Sequence, residues 1–280
     1  MSRYPWLAGA LLPLVALASP APAQQQSSST AAADRDDQGE AKPPRRWRVG
    51  LGVQAVPSFP GSDSVSLRPL VDVARARGDE PFEFEAPDES FGFPIVRGGG
   101  FEVGPALNIE GSRKPGKLGA ALPKVSTTFE AGAFVSWQLG ESFRLRAEGR
   151  KGLGGHDGWV GNVGADYVAR NGDAWLFSIG PRVTLSDRTF NRAYFGVTPA
   201  DAAVTGLAAF DPNGGVQAIG GTAGLLFQLS PSWGVYSYAK YDRLVSDAGR
   251  SPVVRQLGSR DQFSGGLALT YTWGGGRKAR

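Results

Sequence analysis

The stretch Phe263-Ser-Gly-Gly-Leu-Ala-Leu-Thr-Tyr-Thr-Trp273 puts an apolar residue or glycine at every odd position and a small or polar residue at every even one. Successive side chains of a strand point to opposite faces. One face here is therefore apolar (Phe263, Leu267, Leu269, Tyr271, Trp273) and the other small and polar (Ser264, Gly266, Ala268, Thr270, Thr272). The same dyad period recurs through most of the chain, and with a secretion signal in front of it the sequence predicts an all-β protein, a transmembrane antiparallel up-and-down β-barrel.

The signal reads as Arg3, an apolar run from Leu7 to Ala18, and the small-residue site Ala21-Pro-Ala23. These are the parts of a cleavable signal peptide over residues 1–23, which leaves Gln24 first. The run is shorter than the ~20 residues a membrane helix needs, and no later segment approaches that length. Passage through a membrane must then be by strands, and the expected location is the outer membrane of a Gram-negative cell. The chain has no cysteine, which excludes a disulfide framework and a lipidated N-terminal cysteine. A mean hydropathy of −0.21 with 41% hydrophobic residues suits strands that alternate between lipid and lumen, whereas a helical membrane protein would be far more apolar. Glycine supplies 40 of 280 residues, about twice the usual ~7%, and serves turns and close strand packing. The formal charge of +4 is too small to imply a nucleic-acid partner.

Residues Gln24–Arg46 lack apolar periodicity and are rich in Gln, Ser, Asp and Pro, which predicts a disordered periplasmic arm. The barrel is expected over 47–273, followed by a basic tail, 274–280. Strand candidates are Trp47–Ala55, Val65–Arg77, Pro81–Ala86, Phe91–Arg97, Phe101–Gly111, Thr127–Gln138, Phe143–Lys151, Gly158–Ala169, Ala174–Ser186, Gln217–Leu229, Trp233–Val245 and Gln262–Trp273. That is about twelve strands, an even number as single-chain bacterial barrels prefer; ten is the alternative, because Pro81–Arg97 also reads as one bent strand or a loop. Trp159, Trp175, Trp233 and Trp273 fall at strand ends, where an aromatic girdle belongs. Short links at Gly140–Ser142, Arg170–Asp173 and Ser230–Ser232 alternate with long ones at Gly152–Asp157, Asp187–Val216 and Ser246–Asp261. With the C-terminus in the periplasm, every long link lies outside and every short one inside. In the longest, Thr198 can cap a single helical turn that has Pro199 in first position and Asp201 near its positive end.

Gly180-Pro-Arg182, Tyr194-Phe-Gly-Val-Thr-Pro-Ala-Asp-Ala202, Thr205-Gly-Leu207, Gly214-Gly215, Tyr241-Asp-Arg-Leu-Val-Ser-Asp-Ala248, Ser251-Pro-Val-Val254 and Gly258-Ser-Arg-Asp-Gln262 occur in this order. Together they resemble the MipA/OmpV family of MltA-interacting outer-membrane proteins, over roughly Val49–Trp273. The resemblance implies a barrel without enzymatic activity, and no cofactor or metal is expected. It also implies a scaffold role toward a lytic transglycosylase and a penicillin-binding protein in peptidoglycan synthesis, although other members are discussed as porins or surface antigens. The tail after Trp273 departs from a usual barrel ending.

His156 is the only histidine, so any histidine-dependent hydrolase mechanism must use it. No serine motif accompanies it, Asp157 is its neighbour on the opposite face, and the expectation is an exposed loop histidine. One histidine and no cysteine cannot furnish a typical zinc site. The even positions Arg144, Arg146, Glu148 and Arg150 share the lumen side with Arg68, Asp72, Asp166, Arg182, Lys240 and Asp242. Two readings follow: a cationic pore lining for small anionic solutes, giving a narrow porin-like channel, or Arg–carboxylate networks that fill a narrow lumen. Arg45 and Arg46 before the first strand, with Arg277, Lys278 and Arg280 after the last, form two basic clusters facing the cell wall, as contacts for acidic partners or solvated neighbours of the outer-membrane lipid.

Overall fold

The computed structural model describes residues 43–114, 116 and 121–274. The expected signal peptide, arm residues 24–42, and Arg277, Lys278 and Arg280 lie outside the described residues. Twelve strands form one sheet: β1 (Arg45–Pro57), β2 (Val65–Arg77), β3 (Phe91–Gly92), β4 (Val96–Gly98), β5 (Phe101–Glu110), β6 (Thr128–Leu139), β7 (Phe143–Leu153), β8 (Trp159–Asn171), β9 (Trp175–Ser186), β10 (Gly215–Gln228), β11 (Trp233–Leu244) and β12 (Asp261–Gly274). From β5 to β12 each strand pairs antiparallel with the next, and β12 pairs with β1 from Arg46↔Gly274 to Ala55↔Gly265. This is the up-and-down array expected from the dyad period. In β12 the inward Thr270 and Ala268 are 0% and 2% exposed, while the outward Phe263 and Leu267 are 65% and 58% exposed.

Outward apolar side chains form a belt with aromatic pairs near its edges. At the end shared by both termini, Phe101 stacks on Trp137 at 4.8 Å and Trp233 lies 4.8 Å from Tyr271; at the other end Tyr241 lies 4.9 Å from Phe263. Flat aromatic bodies with polar edges suit both membrane–water boundaries.

The sheet departs from the expectation between β2 and β5. Pro81–Ala86 is not a strand, and Phe91–Arg97 divides into β3 and β4, of two and three residues. β2 and β3 are the two ends of the hydrogen-bonded order. The sequence explains this: residues 79–90 carry Pro81 and Pro87 with Glu80, Glu83, Glu85, Asp88 and Glu89. Proline removes a ladder donor, and a run of carboxylates cannot face acyl chains. The segment therefore turns inward. It starts at the end where β1 begins and β12 closes, where the Phe82 amide donates to Asp173 Oδ1 (3.0 Å) and Arg170 donates to the Phe82 carbonyl (2.9 Å). It then climbs to mid-height, and β3 joins β5 there at Phe91↔Leu107.

Outside, the long loops fold over the mouth. They contain α1 (Arg188–Phe195), α2 (Pro199–Thr205), α3 (Ser246–Arg250) and α4 (Pro252–Leu257). α2 is the expected turn, with the Thr198–Asp201 capping box, Pro199 in its first turn and Gly206 at φ +74 as its left-handed stop. α1 was not foreseen. Asp187 caps it by accepting from the Phe190 amide at 2.8 Å, and Phe190, Tyr194 and Phe195 turn down into a core with Phe59, Leu244 and Val254.

Candidate functional site

Four cations at mid-height meet two carboxylates of the inward segment. Arg182 on β9 donates through Nε to both oxygens of Asp88 at 3.0 Å, and Lys240 on β11 reaches the same carboxylate at 3.1 Å. On β7, Arg144 holds Glu89 with both terminal nitrogens, and Arg146 lies 3.4 Å from it. The wall supplies the remaining acceptors: Arg182 to Asp166 at 2.7 Å, Lys240 to Asp242 at 3.0 Å, Arg146 to Glu148 at 3.0 Å, and Arg150 to both Glu148 and Glu130. The Ser90 hydroxyl donates to Glu148 at 2.7 Å.

Two unit charges 4 Å apart at an effective dielectric near 20 interact by about 4 kcal/mol. Without Asp88 and Glu89, the wall's Asp166, Asp242 and Glu148 would leave these four cations undercompensated. The dyad pattern identified the wall residues, including the partners Asp166, Asp242 and Glu148, but not Asp88 and Glu89, which lie between the strand candidates Pro81–Ala86 and Phe91–Arg97. The acidic run of the inward segment, set between prolines opposite a cationic row, was the available signal.

Asp72 pairs with Arg48 at 3.0 Å. Arg68 spans the gap in the ladder: its guanidinium lies so close to Gly111 that a Cβ there would sit 2.3 Å from Nη2. Lower down, the guanidinium carbons of Arg46 and Arg48 each lie 4.9 Å from the Phe82 ring centroid, so the segment is clasped by cation–π as well as ionic contacts.

His156 is not exposed. It is 2% exposed and accepts the Gly158 amide on Nδ1 at 3.1 Å, which leaves Nε2–H to donate to Glu130 Oε1 at 3.0 Å. Its ring meets Phe190 edge-on at 4.6 Å. Gly152 makes room for it, since a Cβ there would fall 2.2 Å from Cε1. The loop tip reads as solvated because the sequence does not show that α1 packs over it. His156 thus ties the lumen network to the outer core.

The inward segment divides the remaining space. One chamber of about 400 Å³ reaches the short turns at Gly98–Gly100 and Gln138–Glu141. A second of about 390 Å³ lies beneath the outer core, bordered by Phe59 and Leu244, and Glu89 borders both. At the rim where β1 begins, Arg45 is exposed, but Arg46 is only 4% exposed, paired with Asp173 at 2.8 Å and donating to the Glu80 carbonyl. Both belong to β1 rather than to the arm, and Arg46 is turned from the expected partner contact into a clamp on the inward segment.

Residues 49–273 match the family described as MltA-interacting protein MipA. No curated protein sequence matches the chain. Solved structures similar to it include an outer membrane channel from Pseudomonas putida F1 (11% identity, TM-score 0.42, covering 86% of this chain and 99% of that one). OprG of Pseudomonas aeruginosa is similar at 8% identity and TM-score 0.27, covering 81% and 95%. The anion-selective porin of Comamonas acidovorans is similar at 9% and 0.32, covering 83% and 100%.

Proposed function

Since the chain belongs to the MltA-interacting protein MipA family and is an outer-membrane β-barrel protein, we propose that it serves as a non-conducting anchor holding peptidoglycan-synthesising and peptidoglycan-hydrolysing enzymes at the inner face of that membrane. The observation that carries this reading is the double obstruction of the lumen, by residues 79–90 at mid-height and by the packed loop core at the outer mouth. A barrel stopped at two levels has its rim and termini left for work in the periplasm. The turns there are short, so in this reading residues 24–42, Arg45 and the tail cations Arg277, Lys278 and Arg280 carry the contact with a lytic transglycosylase or a penicillin-binding protein. Residues 1–23 act as the signal peptide, and the apolar belt meets outer-membrane lipid.

Deleting residues 24–42 should cut capture of a lytic transglycosylase by the purified protein at least tenfold; undiminished capture overturns the assignment. The lumen cations then serve ion pairing rather than a pore. In planar bilayers the purified protein should give no discrete steps, and large anion-selective steps would favour the narrow-channel reading instead.

A further inference from the structure

The waist of the lumen is a built site for carboxylates, filled by the chain's own. Asp88 and Glu89 are neighbours in sequence yet bind separate cation pairs, Arg182 with Lys240 and Arg144 with Arg146. The cations stand on three different strands that are fixed by their ladders. The carboxylates stand on a segment that is not so fixed. From Glu83 to Ser90 its backbone makes one hydrogen bond within itself, Glu89 to the Ala86 carbonyl at 3.2 Å, and side chains make its ties to the wall. Gly78 precedes it in the left-handed region at φ +50, a position at which backbone rotation is cheap, and on its other side β3 holds the chain to β5 at Phe91 and Gly92. A segment with few backbone hydrogen bonds sits at the low end of local stability.

We propose that the lumen is a periplasm-facing receptor for a solute bearing two or more carboxylates, and that Asp88 and Glu89 occupy it as an intramolecular competitor. The lower chamber gives access from the periplasm, and the outer core closes the far side, so displacement of the segment opens a blind pocket. A polycarboxylate entering it replaces both internal carboxylates at once, with one group on Arg182 and Lys240 and another on Arg144 and Arg146. A monocarboxylate replaces only one of them and leaves the segment in place. This inference concerns the barrel interior and stands whether or not the termini hold wall enzymes.

The test is citrate binding to full-length protein in detergent, measured by titration calorimetry at constant ionic strength, with acetate as the single-carboxylate control. The double variant Asp88→Asn/Glu89→Gln should bind citrate at least tenfold more tightly than the unaltered protein, and in both proteins acetate should bind at least tenfold more weakly than citrate. Equal citrate affinity in the two proteins overturns the proposal. A second pair decides the matter even if that variant does not fold. The chain has no cysteine, and a Cβ on Gly224 of β10 would lie 3.1 Å from Pro87 Cγ, so Pro87→Cys/Gly224→Cys places one crosslink between segment and wall. Oxidised, this protein should bind citrate at least tenfold more weakly than when reduced; identical binding in both states refutes a displaceable segment.

Discussion

At the outer mouth the lumen is stopped by Phe59, Phe190, Tyr194, Phe195 and Val254, whereas at mid-height it is stopped by Asp88 and Glu89 on four cations. The first closure is apolar burial, non-directional and nearly indifferent to salt. The second is charge pairing beside two chambers open to polar contacts, where desolvation offsets much of the attraction and ions in solution screen the rest. A lumen sealed twice by the same means would have two walls or two gates; one sealed by both has a fixed lid above and a releasable stop below.

The sharpest way to break this contrast is at the outer core. Phe195 is fully buried at 0% exposure, and truncating such a ring costs about 3–5 kcal/mol. Phe195→Ala should release α1, seen as faster amide exchange across residues 187–210, and by the same factor at low and high salt. Unchanged protection would mean that the lid is not a packed unit.

At the waist the expected effect is smaller and has a different signature. Glu89→Gln keeps the shape but weakens the grip of Arg144 and Arg146, a loss of about 1.5–3 kcal/mol for hydrogen bonds to charged groups. Proteolytic susceptibility of residues 79–90 should rise in the variant at low salt, and the gap between variant and unaltered protein should narrow as salt is added. A gap that holds at high salt would make the waist a core like the lid.

The two closures also differ in how far the sequence reveals them. The wall was legible because each strand obeys a period of two: Val65–Arg77 was bounded as found, and Arg144, Arg146 and Arg150 were placed on the inner face from parity alone. The stops were not legible. Residues 81–86 alternate, Phe82 and Phe84 against Glu83 and Glu85, and so read as a strand, while their inward turn depends on a row of arginines more than fifty positions away, as in Arg144 with Glu89. α1 has one apolar side, Phe190, Tyr194 and Phe195, yet Arg188, Asn191 and Arg192 make the stretch read as a polar loop. His156 reads as exposed for the same reason: its burial is created by α1 packing over it, and local sequence carries no trace of a neighbour thirty-four positions later.

The smallest expected effect belongs to the outer surface of the lid, where electrostatics returns in its weakest form. Asp211 accepts from Arg192 Nε at 2.6 Å and from Arg188 Nη2 at 2.5 Å, tying the exposed side of α1 to the loop that follows it. Hydrogen bonds from Arg192, then from Arg188, hold its carboxyl well below the usual carboxylate range. A depressed carboxyl favours the folded state at and above its ordinary pKa, and that contribution is lost as the pH falls through the lowered value. Both arginines are about half exposed, so solvent screening leaves little of it. Asp211→Asn should therefore loosen α1 only slightly near neutrality, and the difference from the unaltered protein should shrink toward zero in strong acid, where both side chains are neutral. Amide exchange of α1 as a function of pH measures it. A difference that widened on acidification would mean that charge, not the apolar face of α1, holds the lid, and the contrast between the two closures would fail at its stronger end.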